Sequence, residues 1–358
     1  MKNLYKSPIA VECLKLNFVR TLNSSSNFNQ NISQINIPPT FAEDFNKYLL
    51  KSLWSSTDLK VDFLSLQKWQ SSFNEYLLDY PEFKANLENA RKSPIIMIKG
   101  MNTLELAQQT NFNDVSDFDK INNLLPIKHN AAFSSLIALK LGVNFVKYGE
   151  LMTLVGNLDK YSHQQNSYYS SKVDLGWHND GFSCGVGGLE SDVLISGIKG
   201  HSQALTKIIT LEQIKDYFHR NNKADILQKL RSLYVFNSGF ETSPRVIDSI
   251  ISDDQIRFAD FGENMIVPNN PSQDKSEIKA IEELKKALAA IDPFSTSLKN
   301  GEMLLIDNAK CLHFRSKFLK DDENDISATA PATRIFLRGN LLYRLRNEKA
   351  SASVTSFS

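Results

Sequence analysis

Two histidines and one aspartate have the residue types and the spacing of a metal-binding set. His178 and Asp180 are two positions apart, and His313 follows a distant, apolar, strand-like run. Residues i and i+2 of a strand point to the same side, so His178 and Asp180 can bind one metal while Asn179 faces away. Two imidazoles and one carboxylate leave three positions of a metal open, which suits Fe(II) sites that bind a cosubstrate and O2 side by side.

The same residue types also have ordinary structural interpretations. Asp180-Gly181 is a turn signal, so the local sequence is as consistent with a turn at Asp180 as with a metal ligand. An isolated histidine is more often structural or solvated than a ligand. Four of the six histidines lack suitable neighbours, and we expect no metal-binding role for them: His129, His163, His201 and His219.

A pair of arginines provides a second chemical signal. Arg334 and Arg338 are four positions apart, so both guanidinium groups point to the same side of a strand. The planar guanidinium fork donates two parallel hydrogen bonds to a carboxylate. A dicarboxylate cosubstrate needs one end on the metal and the other on such a fork. The alternative is that both arginines extend to solvent, which the apolar residues between them, Ile335, Phe336 and Leu337, disfavour.

Short strands, most of them after Val146, would carry these residues. Apolar runs bounded by turn signals predict strands that are far apart in sequence, a pattern typical of a β-sandwich or jelly roll. We therefore expect a mainly β fold with flanking helices (α+β). The predicted strands are Pro94–Gly100, Leu151–Val155, Val193–Ile198, Leu205–Ile209, Leu233–Phe236, Met303–Ile306 and Ile335–Leu342.

Helical patterns precede and interrupt the predicted strands. Pro38 and Pro39 lead into a predicted helix, Phe41–Leu53, for which Thr40 would be the N-cap. The other predicted helices are Val61–Leu78, Ala131–Leu141, Leu211–Arg220 and Ser276–Ile291.

Composition restricts the class of protein. The chain has 358 residues, is 42% hydrophobic and 23% charged, and has a formal net charge of +1, which is ordinary for a globular protein with a substantial core. The near-neutral balance gives no reason to expect nucleic acid or a membrane surface as partner. No run approaches the roughly 20 apolar residues of a membrane span. Three scattered cysteines and no apolar leader predict a reducing, cytoplasmic location.

The motifs around these residues resemble those of a known family, the Fe(II)/2-oxoglutarate-dependent dioxygenases of the taurine dioxygenase type, particularly the clavaminate synthase-like branch. The resemblance covers about residues 94 to 345. It rests on Trp177–Phe182, on Gly301–Asn308 leading into Leu312–Phe318, and on Arg334 with Arg338.

The resemblance also implies a division of the chain. Residues 94–345 would form a dioxygenase domain with a double-stranded β-helix (jelly roll) core and a helical insertion near 276–291. Residues 1–93 would form a mostly helical segment packed on that core. Separately, residues 346–358, which end in the small, polar run Ser351–Ser358, would be a disordered tail.

The cofactors and their residues follow from the same resemblance. The family's iron ligands correspond to His178, Asp180 and His313, which would form the catalytic centre. Arg334 would bind the distal carboxylate of the cosubstrate 2-oxoglutarate, with Thr206 assisting. The implied reaction consumes O2 and 2-oxoglutarate, releases succinate and CO2, and usually hydroxylates an unactivated C–H bond. The metal carries the hard chemistry, and the protein supplies binding and orientation.

Substrate contacts are implied in the same way. Arg338 corresponds to a position that holds the acidic group of the substrate. Ser171 and Asp260 fall where amino-acid hydroxylases of this branch contact the amino group or side chain of the substrate. We therefore expect a free amino acid or a small amino-acid derivative as substrate. The chain departs from these relatives by having Asp180 where they usually have Glu, and by an acidic insertion, Lys320–Asp325.

Several alternatives remain open. Arg338 can hold any anion, so a sulfonate or another small organic acid is an alternative substrate, and the same iron centre supports desaturation or cyclisation. A halogenase is disfavoured, because Asp180 occupies the place where those relatives have a small residue. A metal-free binding protein on a degenerate jelly roll and a zinc hydrolase with a similar ligand set are alternatives from other classes. The sequence does not indicate the oligomeric state.

Overall fold

The chain is mainly β with flanking helices, as predicted. The computed structural model describes residues 32–54, 61–104, 121–145, 150–156, 173–182, 189–190, 192–200, 203–237, 246–260, 265–270, 275–317, 334–339 and 343–344. The strands within these residues are β1 Ile32–Asn36, β2 Ile95–Lys99, β3 Met152–Gly156, β4 Leu175–His178, β5 Leu189–Glu190, β6 Asp192–Lys199, β7 Thr206–Thr210, β8 Leu233–Phe236, β9 Val246–Ser249, β10 Ile266–Pro268, β11 Phe294–Thr296, β12 Met303–Asp307, β13 Cys311–Arg315, β14 Ile335–Gly339 and β15 Tyr343–Arg344. The helices are α1 Pro39–Trp54, α2 Phe63–Leu78, α3 Pro81–Ala90, α4 Leu125–Lys140, α5 Leu211–Arg220, α6 Ala224–Leu230 and α7 Lys275–Ala290.

Ten strands form two sheets that face each other across a shared apolar layer. The six-stranded sheet has the order β1-β2-β12-β6-β14-β3, and the four-stranded sheet has the order β11-β7-β13-β4. Neighbouring strands are antiparallel except β1 and β2. Because alternate residues of a strand face opposite sides, the residues of the shared cluster define the inner face of each sheet. They include Ile95, Met97, Val193, Ile195, Ile208, Leu304, Ile306 and Cys311.

Helices cover the outer faces of both sheets. Leu194, Ile198 and Leu337 of the six-stranded sheet belong to a second buried cluster that includes the apolar stripes of α1 to α4. The outer side of the four-stranded sheet contributes Ile209 and Leu312 to a third cluster, with α5 to α7 and the small sheet β10-β8-β9. Among the described helices, none is both long and apolar enough to cross a bilayer.

Most predicted helices and strands are confirmed, and the differences lie at their ends. The sequence predicts Thr40 as the N-cap of the first helix, which is wrong, because helix α1 begins at Pro39 and Thr40 lies inside it. Proline suits the first helical turn because its missing N–H would have no helical partner there. Helix α2 begins at Phe63, and Asp62 caps it by accepting a hydrogen bond from the backbone N–H of Ser65 at 2.8 Å.

Tertiary contacts explain the remaining differences. Residues 32–36 form β1, which no predicted element covers, because this strand depends on parallel pairing with β2. Helix α4 begins at Leu125 rather than Ala131. The sequence pattern does not predict α3. The acidic insertion Lys320–Asp325 and the predicted tail, residues 346–358, lie outside the described residues.

Candidate metal centre

The side chains of His178, Asp180 and His313 meet on the inner face of the four-stranded sheet. His178 and His313 are direct cross-strand partners on β4 and β13, and their ring centroids are 4.0 Å apart. The Nε2 atoms of His178 and His313 lie 3.5 and 3.4 Å from Oδ1 of Asp180. On the other side of His313, its cross-strand partner Ile208 belongs to the apolar layer between the sheets. The two rings therefore face the space between the sheets.

Both histidines present Nε2 to the same carboxylate oxygen of Asp180. Nδ1 of His178 is 2.7 Å from the carbonyl oxygen of Gly176; since a carbonyl can only accept, Nδ1 donates this hydrogen bond, and Nε2 is the nitrogen that faces the candidate metal position. Burial, and then the neighbouring His178, lower the pKa of His313. A neutral imidazole is the form that ligates a metal. The two rings and Oδ1 of Asp180 thus fit a divalent transition metal.

Asp180 approaches the histidines from a turn, whereas the spacing alone suggests a continuous strand. β4 ends at His178, and Gly181 has φ +72°, a left-handed conformation that favours glycine. Asn308 holds this turn, because its Oδ1 accepts a hydrogen bond from the backbone N–H of Asp180 at 3.0 Å. Its Nδ2 donates to the carbonyl oxygen of Asp180 at 2.9 Å. The turn and the approach to the metal ligands are therefore compatible.

Asn179 faces away from the two histidines, as predicted, and is fully buried. Its Nδ2 donates to the carbonyl oxygens of Asn308 at 2.5 Å and Cys311 at 2.8 Å. Its Oδ1 accepts a hydrogen bond from the backbone N–H of Phe258 at 2.9 Å. Asn179 and Asn308 together fix the backbone between the two candidate ligands. The sequence reasoning did not predict these supporting roles, although both residues stand inside the two motifs.

The carboxylate of Asp180 is surrounded by positive or hydrogen-bonding groups. Burial alone would raise the pKa of Asp180, but the neighbouring His313, then His178 and the charge of Arg338, hold it well below its usual range. Nη2 of Arg338 donates to Oδ2 at 2.8 Å. Asp180 is therefore ionised at neutral pH, as a metal ligand must be.

Arg334, which directly precedes β14 of the six-stranded sheet, faces the same interior from the side opposite the candidate metal ligands. It is 4% exposed, and its Nη2 donates to Oγ1 of Thr206 at 2.7 Å. Its guanidinium carbon is 4.9 Å from the ring centroid of Phe336. Burial, and then the charge of Arg315, lower the pKa of Arg334 to about 10, so it keeps its charge at neutral pH. Such a buried cation is suited to an anionic ligand.

Arg315 is a further interior cation that the sequence reasoning did not single out. It is the cross-strand partner of Thr206, and its Nη2 donates to the carbonyl oxygen of Val173 at 3.3 Å. Burial lowers its pKa to about 10. Arg315 and Arg334 thus both approach Thr206. The available signal was its spacing, because Arg315 is two residues after His313 and shares its side of β13.

The two remaining predicted substrate contacts are not brought to this centre by the described structure. Oδ1 of Asp260 is 2.7 Å from Nζ of Lys285 on α7. The backbone N–H of Asp260 donates to the carbonyl of Trp177, and the preceding residue forms a bridge with His178. Alternation therefore places the Asp260 side chain on the face of Trp177, opposite that of His178. Ser171 lies outside the described residues.

Comparison with solved structures shows which known proteins share the fold of this chain, whereas comparison of sequences finds no relative. No protein-family model and no curated protein sequence matches the chain. Among solved structures, the chain is similar to an asparagine oxygenase in complex with Fe(II), 2S,3S-3-hydroxyasparagine and succinate, with a TM-score of 0.65 and 13% identity over 87% of this chain and 93% of that chain. The chain has the fold of this oxygenase.

A second oxygenase shows the same likeness. The non-haem iron oxygenase OrfP in complex with Fe, succinate and (3S)-hydroxy-L-Arg has a TM-score of 0.59 and 15% identity over 90% of this chain and 98% of that chain. Its complex with Fe and alpha-ketoglutaric acid has a TM-score of 0.59 and 14% identity over 89% of this chain and 97% of that chain. At these identities the likeness concerns the fold, and the activity must be argued from the site.

Proposed function

We propose that the protein is an Fe(II)- and 2-oxoglutarate-dependent oxygenase that hydroxylates an unactivated C–H bond of a small substrate and releases succinate and CO2. The observation that carries the proposal is the meeting of His178, Asp180 and His313 on the inner face of one sheet. Two nitrogen donors and one carboxylate oxygen suit Fe(II) and leave open positions. When bound, the iron supplies the activation of O2 that oxidises the C–H bond.

Arg334 and Thr206 are the groups that would hold the distal carboxylate of 2-oxoglutarate. Thr206 is two residues from Ile208, the cross-strand partner of His313, so the hydrogen-bonded pair lies about 7 Å along the strand from His313. That separation suits a short dicarboxylate with one end at the metal ligands and the other on a guanidinium fork. Burial of Arg334 strengthens the attraction, because water does not screen it there.

The substrate we propose is a free amino acid or a small amino-acid derivative. The similar oxygenases are described in complex with 3-hydroxyasparagine and with (3S)-hydroxy-L-Arg. Arg338 lies beside Asp180 with its side chain 36% exposed, so its fork can hold a carboxylate that enters from solvent. Contacts from Ser171 and Asp260 remain predictions. A sulfonate or other small organic acid as substrate, or desaturation and cyclisation as reactions, are alternatives on the same site.

The finer description of the fold is part of this proposal. The two facing sheets and the likeness to the oxygenases support a double-stranded β-helix, or jelly roll, as the core. We assign the dioxygenase domain to residues 94–345, with a mostly helical segment within residues 1–93 packed on it. The scattered cysteines support a cytoplasmic location.

The test measures succinate formation with 2-oxoglutarate, Fe(II) and ascorbate across the standard amino acids, with small sulfonates as a second panel. We expect one amino acid to stimulate succinate formation, and Asp180→Ala to abolish the stimulation. Turnover only in the second panel would reject the amino-acid substrate and keep the oxygenase. If the protein binds no metal, the alternative of a metal-free binding protein would replace the oxygenase. Hydrolysis that needs neither O2 nor 2-oxoglutarate would instead support the alternative of a zinc hydrolase.

A further inference from the structure

The two carboxylate oxygens of Asp180 have different partners. Oδ1 faces Nε2 of His178 at 3.5 Å and Nε2 of His313 at 3.4 Å. Oδ2 accepts a hydrogen bond from Nη2 of Arg338 at 2.8 Å. Hydrogen bonds between two ionised groups are the strong ones, and this contact lies partly out of water, since the Asp180 side chain is 20% exposed. The carboxylate is therefore held in one orientation.

This orientation matters because a carboxylate can bind a metal through one oxygen or through two. Two imidazoles and a carboxylate that uses one oxygen leave three positions of an octahedral metal open. A chelating keto acid and O2 together need all three. If Asp180 used both oxygens, one of these positions would be filled. The group that binds Oδ2 therefore decides how many positions remain for ligands.

We propose that Arg338 is a positioning residue that holds Oδ2 of Asp180 away from the metal, so that Asp180 binds through Oδ1 alone. The inference rests on the proposed function and adds to it. Asn308 fixes the backbone of Asp180, whereas Arg338 fixes the carboxylate itself. A guanidinium has five N–H donors, more than one carboxylate oxygen can accept. The same guanidinium can therefore also hold the anionic group of a substrate. Arg338 would then contact both the substrate and Asp180.

The test compares the full chain with Arg338→Met and Arg338→Lys after loading with Co(II). Methionine keeps an unbranched stem of similar bulk but donates no hydrogen bond, and lysine keeps a charged donor. The infrared difference spectrum between loaded and metal-free protein reports whether the carboxylate binds through one oxygen or two. Calorimetry measures the affinity of the loaded protein for 2-oxoglutarate. The thermal midpoint checks that each variant folds.

We expect Arg338→Met to give the infrared signature of two-oxygen binding and to weaken 2-oxoglutarate binding by about tenfold or more. Arg338→Lys should keep the wild-type signature. A matched control, Arg334→Met, should weaken 2-oxoglutarate binding without changing the signature, because its guanidinium contacts Thr206 and not Asp180.

An Arg338→Met variant with the wild-type infrared signature would overturn the positioning role. Failure of the proposed function has a different result, which is that Asp180→Ala binds Co(II) as tightly as the wild type. If Asp180→Ala loses the metal while Arg338→Met leaves the signature unchanged, the metal centre stands and only the role of Arg338 is rejected.

Discussion

The two faces of the six-stranded sheet bury polar groups in different ways. On the helix-covered face, neutral side chains form a closed network between α4 and β6. Oγ of Ser134 is 2.7 Å from Oγ of Ser196, and Ser196 donates to Oδ1 of Asn130 at 2.5 Å. Nδ2 of Asn130 donates to the carbonyl oxygen of Gly197 at 3.2 Å. These groups satisfy one another, which is what a buried structural network requires.

On the inner face, two arginines of the six-stranded side, the buried Arg334 and the partly exposed Arg338, make contacts that cross to the opposite sheet. Arg334 reaches Thr206 and Arg338 reaches Asp180. The neighbouring charge that acts on Arg334 is that of another cation, Arg315. Like charges in a protein interior disfavour one another, and an anionic ligand relieves this repulsion. The comparison teaches that the inner face is arranged for ligands and the outer face for packing.

Removal of a metal ligand on the inner face should have the largest effect. We expect His313→Ala to reduce succinate formation by at least about a thousandfold, equivalent to about 4 kcal/mol in the activation barrier, because the remaining pair cannot hold the metal in place. The measurement is turnover at saturating Fe(II). His129→Ala, a buried histidine on the helical side, is the control and should keep turnover in the fraction that folds. Equal losses in both variants would contradict the assignment.

Loss of the guanidinium at Arg334 should have the next largest effect. Arg334→Leu would remove a bidentate, charge-assisted hydrogen bond to the distal carboxylate of 2-oxoglutarate, worth about 3 kcal/mol. We therefore expect the KM for 2-oxoglutarate to rise about a hundredfold. Arg334→Lys keeps the charge without the fork and should raise it about tenfold. Steady-state kinetics with varied 2-oxoglutarate checks both. An unchanged KM in Arg334→Leu would place the distal carboxylate elsewhere.

Two buried asparagines, one beside Asp180 and one on the helix-covered face, provide a matched test of the difference between the two faces. Asn308→Ala and Asn130→Ala should each lower the free energy of unfolding by about 1–3 kcal/mol, because buried partners lose their hydrogen bonds. Only Asn308→Ala should also weaken Co(II) binding, by about tenfold, since Asn308 holds the turn at Asp180. Denaturation and metal titration measure the two effects. Weaker metal binding in Asn130→Ala would show that the two faces are coupled.

The last expected effect concerns stability against acid and leaves turnover at neutral pH unchanged. His129 is fully buried, and burial lowers its pKa from 6.5 to about 4. Between pH 6.5 and 4, the unfolded chain therefore binds a proton at His129 that the folded chain does not. The free energy of unfolding decreases as the pH falls through this range. The difference amounts to about 3 kcal/mol.

The check for His129 is a comparison with His129→Leu. Because leucine does not titrate, the variant should lose less stability than the wild type between pH 6.5 and 4, as measured by urea denaturation at several pH values. Parallel curves for both proteins would mean that His129 does not contribute to this dependence.

Local patterns account for the parts of the site that lie on regular strands. Alternation along β14 predicts that Arg334 and Arg338 share a side, and Phe336 between them packs against the inner cluster while Ile335 and Leu337 join the outer one. The strand periodicity also predicts β6, β7 and β12. These are short-range properties of the backbone, which the sequence specifies directly.

Contacts between distant segments could not be predicted in the same way. The pairing of Asp260 with Lys285 on α7 depends on where that helix packs, and no local pattern contains this information. The hydrogen bonds of Asn308 to Asp180 depend on the approach of β12 and β13 to the end of β4. The turn at Gly181 was visible in the sequence, but its compatibility with metal binding was not.

The most direct measurement of the central claim is an anaerobic calorimetric titration of the chain with Fe(II), followed by 2-oxoglutarate. The account predicts one Fe(II) per chain, and 2-oxoglutarate binding that requires the metal. Both should be lost in Asp180→Ala. A wild-type protein that binds no Fe(II), or an Asp180→Ala variant that binds it as tightly as the wild type, would contradict the account.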